Sequence, residues 1–147
     1  METQGIRWFY RNKVIIGHDS LPKECTHIVY RLTFCDSMQY IGYKTVRSER
    51  RLKPTKAQLA IRKNYKRVEW KDLPFVDYVG SSKENEGKEL VSKEIIYFCS
   101  NKRTATYLET KLLMSLGAIE PNSVYTNKNI GGKWFDNCLD GLLSNWK

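Results

Sequence analysis

The sequence predicts an α/β (α+β) fold: a small central three-stranded antiparallel sheet flanked by helices, with an N-terminal hairpin and a C-terminal helix added. Three observations carry that expectation. His27–Phe34 puts Ile28, Tyr30, Leu32 and Phe34 on one side of a period-two pattern, the mark of a half-buried strand. Gln39–Thr45 has the same character and follows Cys35-Asp-Ser-Met38, so the two strands form an antiparallel hairpin. Lys93–Cys99 is apolar enough for a central strand and runs straight into a helical pattern.

In chain order, residues 5–16 read as a hairpin-like pair around Arg11-Asn12-Lys13, and 18–26 as a connector beside Gly17. After the 27–34 and 39–45 strands comes an arginine-rich loop. Pro54-Thr55 then opens an expected helix to about Val68, with Leu59 and Ala60 inward and Lys56, Lys63 and Arg67 on one basic outer face. Leu73 to Gly87 reads as loop. Ser100 is the expected N-cap of a helix over about Asn101–Leu116, with Gly117 as its C′ residue. Its core stripe is Ala105, Leu108, Leu112 and Leu116, and Glu109 lies about 100° from Leu108, at the border of that stripe. A glycine loop at 127–132 precedes an amphipathic segment, Phe135 to Trp146, whose Leu139, Leu142 and Leu143 face inward. All 147 residues are expected to form one domain, with a core at about 27–133.

Composition excludes several classes. Hydrophobic residues at 41% supply enough apolar surface to fold, so a disordered chain is excluded. No stretch approaches the roughly 20 apolar residues of a membrane span, and the first residues lack an apolar signal region, so a cytoplasmic protein is expected. Cys25, Cys35, Cys99 and Cys138 form no C-x-x-C pair, which argues against a zinc knuckle or a disulfide framework. Two histidines supply a triad or a histidine metal site poorly, and His27 is expected on a strand surface.

Charge is concentrated. Residues 44–71 carry eleven basic and two acidic side chains, a net of +9 that equals the whole chain's charge. Such a run suits a polyanion, because Lys and Arg set against phosphates gain affinity by releasing counterions. Lys44, Arg47, Arg51, Lys56, Arg62, Lys63, Lys66 and Arg67 are the candidate nucleic-acid ligands. An acidic partner protein would meet the same patch, since basic charge alone does not tell one polyanion from another.

The hairpin also brings Ile28-Val29-Tyr30 beside Tyr40-Ile41-Gly42. Two phenol hydroxyls can thereby meet at one end of a sheet, where each can donate, accept or act as a base. Gly42 removes a side chain where a ligand or a backbone can approach closely.

These residues resemble the GIY-YIG nucleases, whose pattern is G-I-Y, about ten residues, Y-I-G, an arginine, a helical glutamate and a downstream asparagine. Here it reads Ile28-Val29-Tyr30, Tyr40-Ile41-Gly42, Arg50, Glu109 within Tyr107-Leu108-Glu109-Thr110, and Asn127 within an N-K-x-x-G-G string. The first motif lacks its glycine. A second string, Tyr78-Val-Gly-Ser-Ser82, resembles one that follows the second motif in phage members. If it is the true continuation, residues 44–77 are an insertion and Lys88 competes with Arg50 as the catalytic cation.

The resemblance implies a freestanding, phage-encoded DNA endonuclease acting in homing, genome degradation or competition between phages. It implies Mg²⁺ or Mn²⁺ on Glu109, Tyr30 as general base, Tyr40 orienting water or phosphate, and Arg50 stabilising the transition state. Asn127, or else Asn129, would hold Glu109 or the substrate backbone, and Lys44 would lower a tyrosine pKa or touch phosphate. A homodimer would supply two active sites for double-strand cleavage. The alternative is a non-catalytic nucleic-acid-binding protein on the same scaffold.

Overall fold

Two alternating strands joined by a tight turn form the centre of the main sheet. In the computed structural model, which describes residues 6–80, 85–127 and 141–143, β3 (His27–Phe34) pairs antiparallel with β4 (Gln39–Thr45), from Thr33 opposite Gln39 to His27 opposite Thr45. The turn closes where Phe34 N–H donates to Met38 O and Met38 N–H to Asp36 Oδ1, and Ser37 takes a positive φ of 67°. The sequence showed this hairpin with the same bounds.

On its other side β3 pairs antiparallel with β7 (Leu90–Cys99), which begins three residues before the predicted strand. The N-terminal hairpin joins the same sheet. β1 (Trp8–Tyr10) turns through Arg11 and Asn12, both at positive φ as a two-residue hairpin turn requires, into β2 (Lys13–Ile15). β1 then pairs parallel with β7, giving the strand order β2-β1-β7-β3-β4. The sheet therefore has five strands where three were expected. The hairpin is built in rather than added because Trp8 is fully buried against Tyr30, with its Nε1–H donating to Phe75 O at 2.8 Å.

The sheet is covered on both faces. Ile28, Tyr30, Leu32 and Phe34 pack with Trp8, Phe75 and Ile95 on one. Val29, Ile41, Tyr97 and Cys99 pack on the other against α2 (Lys102–Ser115) through Ala105, Leu108, Leu112 and Leu113. The helix is capped by Asn101, whose side chain accepts from Thr104 N, and not by Ser100. Gly117 ends it at φ +60°, as expected. Leu116 is 39% exposed because the helix ends at Ser115, and Leu113 and Ala118 join Leu108 and Leu112 in the core instead. His27 is buried, not on a surface: it is hydrogen-bonded with Thr26 Oγ1, and burial with Lys102 nearby pushes it down to about 4, so it is neutral.

The basic segment departs most from expectation. The arginine-rich loop is a strand, β5 (Arg47–Leu52), and the expected long helix is only α1 (Lys56–Ile61), closed at its start by a Thr55–Gln58 capping box. Arg67–Asp72 is a second strand, β6, paired antiparallel with β5 in a separate two-stranded ribbon. Lys56, Lys63 and Arg67 therefore share no helix face. None of the six α1 residues is buried, and a helix that short needs tertiary packing to propagate. Val68 and Trp70 alternate with charged residues, the pattern a strand prefers.

The ribbon is tied down at its base. Val46 N and Arg47 N both donate to Thr26 O, and Leu73 N donates to Val46 O. Arg47, a candidate phosphate ligand, instead gives its guanidinium to the carbonyls of His18, Pro22, Lys23 and Cys25 and lies 3.4 Å from Asp72. Arg47→Ala is expected to destabilise the fold by about 2–4 kcal/mol, because four carbonyls, three of them in partly buried hydrogen bonds, lose a charged donor. Arg47→Lys should not restore it, since an ammonium cannot span that set. Thermal denaturation checks this; an unchanged midpoint with weakened DNA binding would return Arg47 to the ligand set.

The expected C-terminal helix falls outside the described residues except 141–143. There Leu142 bridges Cys99 antiparallel and Leu143 N donates to Phe98 O.

Candidate active site

Residues 40, 42 and 44 project from one face of β4, and Tyr30 stands opposite Gly42 on β3. A β-bulge between β3 and β7 begins beside Tyr30, a device that re-aims a strand side chain. The phenol of Tyr30 consequently leans over Gly42. A Cβ placed there would lie 2.6 Å from the Tyr30 hydroxyl and 2.9 Å from the Tyr40 ring. Gly42→Ala is expected to cost about 1–3 kcal/mol of stability by overpacking and to displace both phenols. Chemical denaturation measures the first effect and DNA nicking the second.

A third tyrosine completes the cluster. Tyr78 meets the Tyr30 ring edge-on with centroids 5.9 Å apart, and Tyr40 lies 6.4 Å from Tyr30 on the other side. Tyr78 arrives on the segment after β6, which a buried lysine holds in place. Lys93 Nζ, on β7, donates to Val76 O at 2.6 Å and Tyr78 O at 3.2 Å and sits over the Trp8 ring. Burial lowers Lys93 to about 8, so it remains mostly charged near neutrality. The Tyr78-Val-Gly string was the signal for this residue: the chain leaves the sheet at Val46, forms the ribbon, and returns with Tyr78 at the tyrosine pair.

Burial is the main reason Tyr30 is pushed well above its ordinary value. Tyr78, hydrogen-bonded to it, adds to the effect, as do Tyr40 and Glu109. The expected lowering of a tyrosine pKa by Lys44 is thus not what Tyr30 shows; Lys44 Nζ lies instead over the Tyr78 ring at 4.8 Å. Glu109 is half-buried on α2, and desolvation raises its carboxyl to about 7. It is close enough to Tyr30 for its charge to act on the phenol.

The Asn127 carboxamide engages the β4 backbone and not Glu109. Its Oδ1 accepts from Ile41 N at 3.1 Å and its Nδ2 donates to Ile41 O at 2.8 Å. The carboxamide behaves like one residue of an adjoining strand along the open edge of β4, and fixes the backbone between Tyr40 and Gly42. Gln39 N and O engage Val124 and Thr126 on the same edge. Asn129 lies outside the described residues.

The predicted cations divide. Lys44 is with the tyrosines. Arg50 is exposed on β5 with Glu69 as its cross-strand neighbour, and among the described residues no hydrogen bond or ion pair joins it to them. Lys88 is paired with Asp36 at the β3–β4 turn. Arg51, Lys56, Arg62, Lys63, Lys66 and Arg67 are exposed on the ribbon and its tip. Arg50 stands apart from the tyrosines because the chain leaves the main sheet after Val46 to form the separate β5–β6 ribbon.

Among the described residues no group of three or more His, Cys, Asp or Glu could hold a metal. Glu109 by itself is a donor set that suits Mg²⁺ or Mn²⁺, which take one or two carboxylates and fill the rest of their shell with water and phosphate oxygens. Its half-buried carboxyl, raised by desolvation, is the kind of group a divalent cation would stabilise as the anion. No described helix is long and apolar enough to cross a membrane.

A protein-family model described as "Putative endonuclease segE, GIY-YIG domain" matches residues 8–130. No curated protein and no solved structure matches the chain at a significant level.

Proposed function

The chain belongs to the GIY-YIG endonuclease family of the segE type, and from that premise we propose that it is a metal-dependent DNA endonuclease, phage-encoded, hydrolysing phosphodiester bonds at the tyrosine face. The observation that carries the reading is the convergence of Tyr30 and Tyr40 over Gly42, with Tyr78 edge-on against Tyr30 and Glu109 near enough to act on Tyr30. A binding module has no use for an isolated half-buried carboxyl, which would repel phosphate.

Glu109 would hold Mg²⁺ or Mn²⁺, which when bound would supply positive charge to the scissile phosphate and its leaving oxygen. The residues do the rest. Tyr30 enters as a neutral phenol, not a standing phenolate, and orients the attacking water by hydrogen bonding, with its own hydroxyl supported by Tyr78 and the water's proton passing to bulk solvent. Tyr40 borders the same space and aligns the phosphate. Lys44 takes the part first given to Arg50, as the cation on this face; an ammonium next to a phosphate stabilises charge as it develops. Asn127 is a positioning residue that keeps Tyr40 and Gly42 in register.

Plasmid nicking with Mg²⁺ or EDTA tests the proposal directly. Metal-dependent nicking supports it, whereas salt-sensitive binding without cleavage would favour the non-catalytic alternative. The exposed cations contribute affinity. Replacing Lys63, Lys66 and Arg67 with Ala is expected to flatten the salt dependence of binding by up to about three units of log–log slope. An unchanged slope would show that these cations do not meet phosphate.

A further inference from the structure

The β5–β6 ribbon and α1 take no part in the chemistry above, yet they are positioned as if for contact. All six positions of β6 are exposed, as are Glu49, Arg50 and Arg51 on β5, so neither face of the ribbon is covered. A lone two-stranded ribbon is marginal in water. Among the described residues its ties lie at the base, where Arg47, Val46, Leu73 and His18 join it to the body of the protein.

Charge is graded along it. Glu49 and Asp72 lie in the half nearer the sheet and Glu69 stands just beyond it, opposite Arg50, whereas residues 50–68 contain eight basic and no acidic residues. Apolar groups stand among those cations: Ile61 is 80% exposed and Leu59 43%. Solvent gives such side chains nothing, while the major groove offers thymine methyls to apolar groups and guanine N7 and O6 to Arg and Lys.

Dimensions select the groove. Six-residue strands at ~3.3 Å per residue reach roughly 20 Å from the base. A two-stranded ribbon with side chains fits the major groove, about 12 Å wide, and not the minor groove at about 6 Å. Both ends of the ribbon also run directly into the site, with Lys44 two residues before Val46 and Tyr78 five residues after Leu73.

We propose that the distal ribbon and α1 form a major-groove reader, which enters duplex DNA beside the bond to be cut and docks the nuclease there. The inference rests on DNA being the substrate. It makes duplex DNA the preferred ligand, read by Arg51, Ile61 and Lys63 at a place separate from the tyrosine face.

Dimethyl-sulfate footprinting of the full chain on a short duplex tests it, because the reagent methylates guanine N7 in the major groove and adenine N3 in the minor. The wild-type protein is expected to protect guanine N7. The variant Arg51→Ala, Ile61→Ser, Lys63→Ala is expected to lose that protection and to bind about tenfold more weakly or worse. Glu109→Gln should keep the N7 protection while losing nicking, which separates the two sites. Unaltered N7 reactivity under bound wild-type protein, or protection retained in the triple variant, overturns the inference. Preference for single-stranded DNA or for an acidic protein over the duplex overturns it as well. Nicking without N7 protection defeats the reader and leaves the nuclease standing; absence of both binding and nicking defeats the nuclease reading first.

Discussion

Glu109→Gln is expected to reduce Mg²⁺-dependent nicking by about 10²–10³-fold, the order of effect seen when a group that stabilises transition-state charge is removed. DNA affinity should stay unchanged or rise slightly, since a charge that repels phosphate has gone. The same substitution should stabilise the metal-free protein above neutrality. The carboxyl is raised from 4.5 to about 7 by desolvation. Below about 4.5 it is neutral in both folded and unfolded states, and the fold carries no penalty. As pH rises through 4.5 to 7 the unfolded chain ionises first and stability falls, and above 7 the full penalty applies. Discounted for partial exposure, that penalty is about 1–2 kcal/mol. Denaturation at pH 5 and pH 8 reads it: wild type should lose stability between them and Glu109→Gln should not share that loss. Mg²⁺ must also displace the proton, so its apparent affinity should fall about tenfold per pH unit below 7. Nicking retained in Glu109→Gln would remove the metal from this residue.

Tyr30→Phe should lower cleavage by about 10²–10³-fold, the effect of losing one preorganised hydrogen-bonding group, while leaving the fold largely intact. The ring keeps its edge contacts with Trp8 and Tyr78, so only the hydroxyl and its hydrogen bond are lost, worth about 0.5–1.5 kcal/mol. Tyr97→Phe is the matched control. Tyr97 is equally buried, with its pKa pushed up to about 12, but it packs on the α2 face of the sheet. Single-turnover nicking of the two variants checks the assignment. An equal loss in both would mean that buried phenols matter here only for packing.

The parts of the site that were legible in sequence are those written in local patterns. Alternation across 27–34 and 39–45 shows that Tyr30 and Tyr40 share a face, and the helical stripe shows Glu109 at the border of the core. The same alternation puts Lys44 on the face of Tyr40 and Gly42, though counting ten residues forward favoured Arg50. Count along the chain is a poor guide once the chain leaves the sheet, and after Val46 it does. Asn127 was found by its string, but its partner was not: Ile41 is 86 residues away.

By itself, then, the sequence determined the central hairpin, the central strand with its following helix and Gly117 stop, the tyrosine pair, Glu109 and the concentration of charge in one segment. Each is fixed by side-chain period, a cap or a turn residue within a few positions. Only the tertiary structure decided that residues 47–72 form a ribbon rather than a helix, that the N-terminal hairpin completes a five-stranded sheet, that Tyr78 returns to Tyr30, and that Arg47 and Lys93 serve the scaffold. Those outcomes rest on contacts such as Trp8 with Phe75, 67 residues apart. Hydrogen bonds and burial across such separations outweigh local propensity, and no short window of sequence contains them.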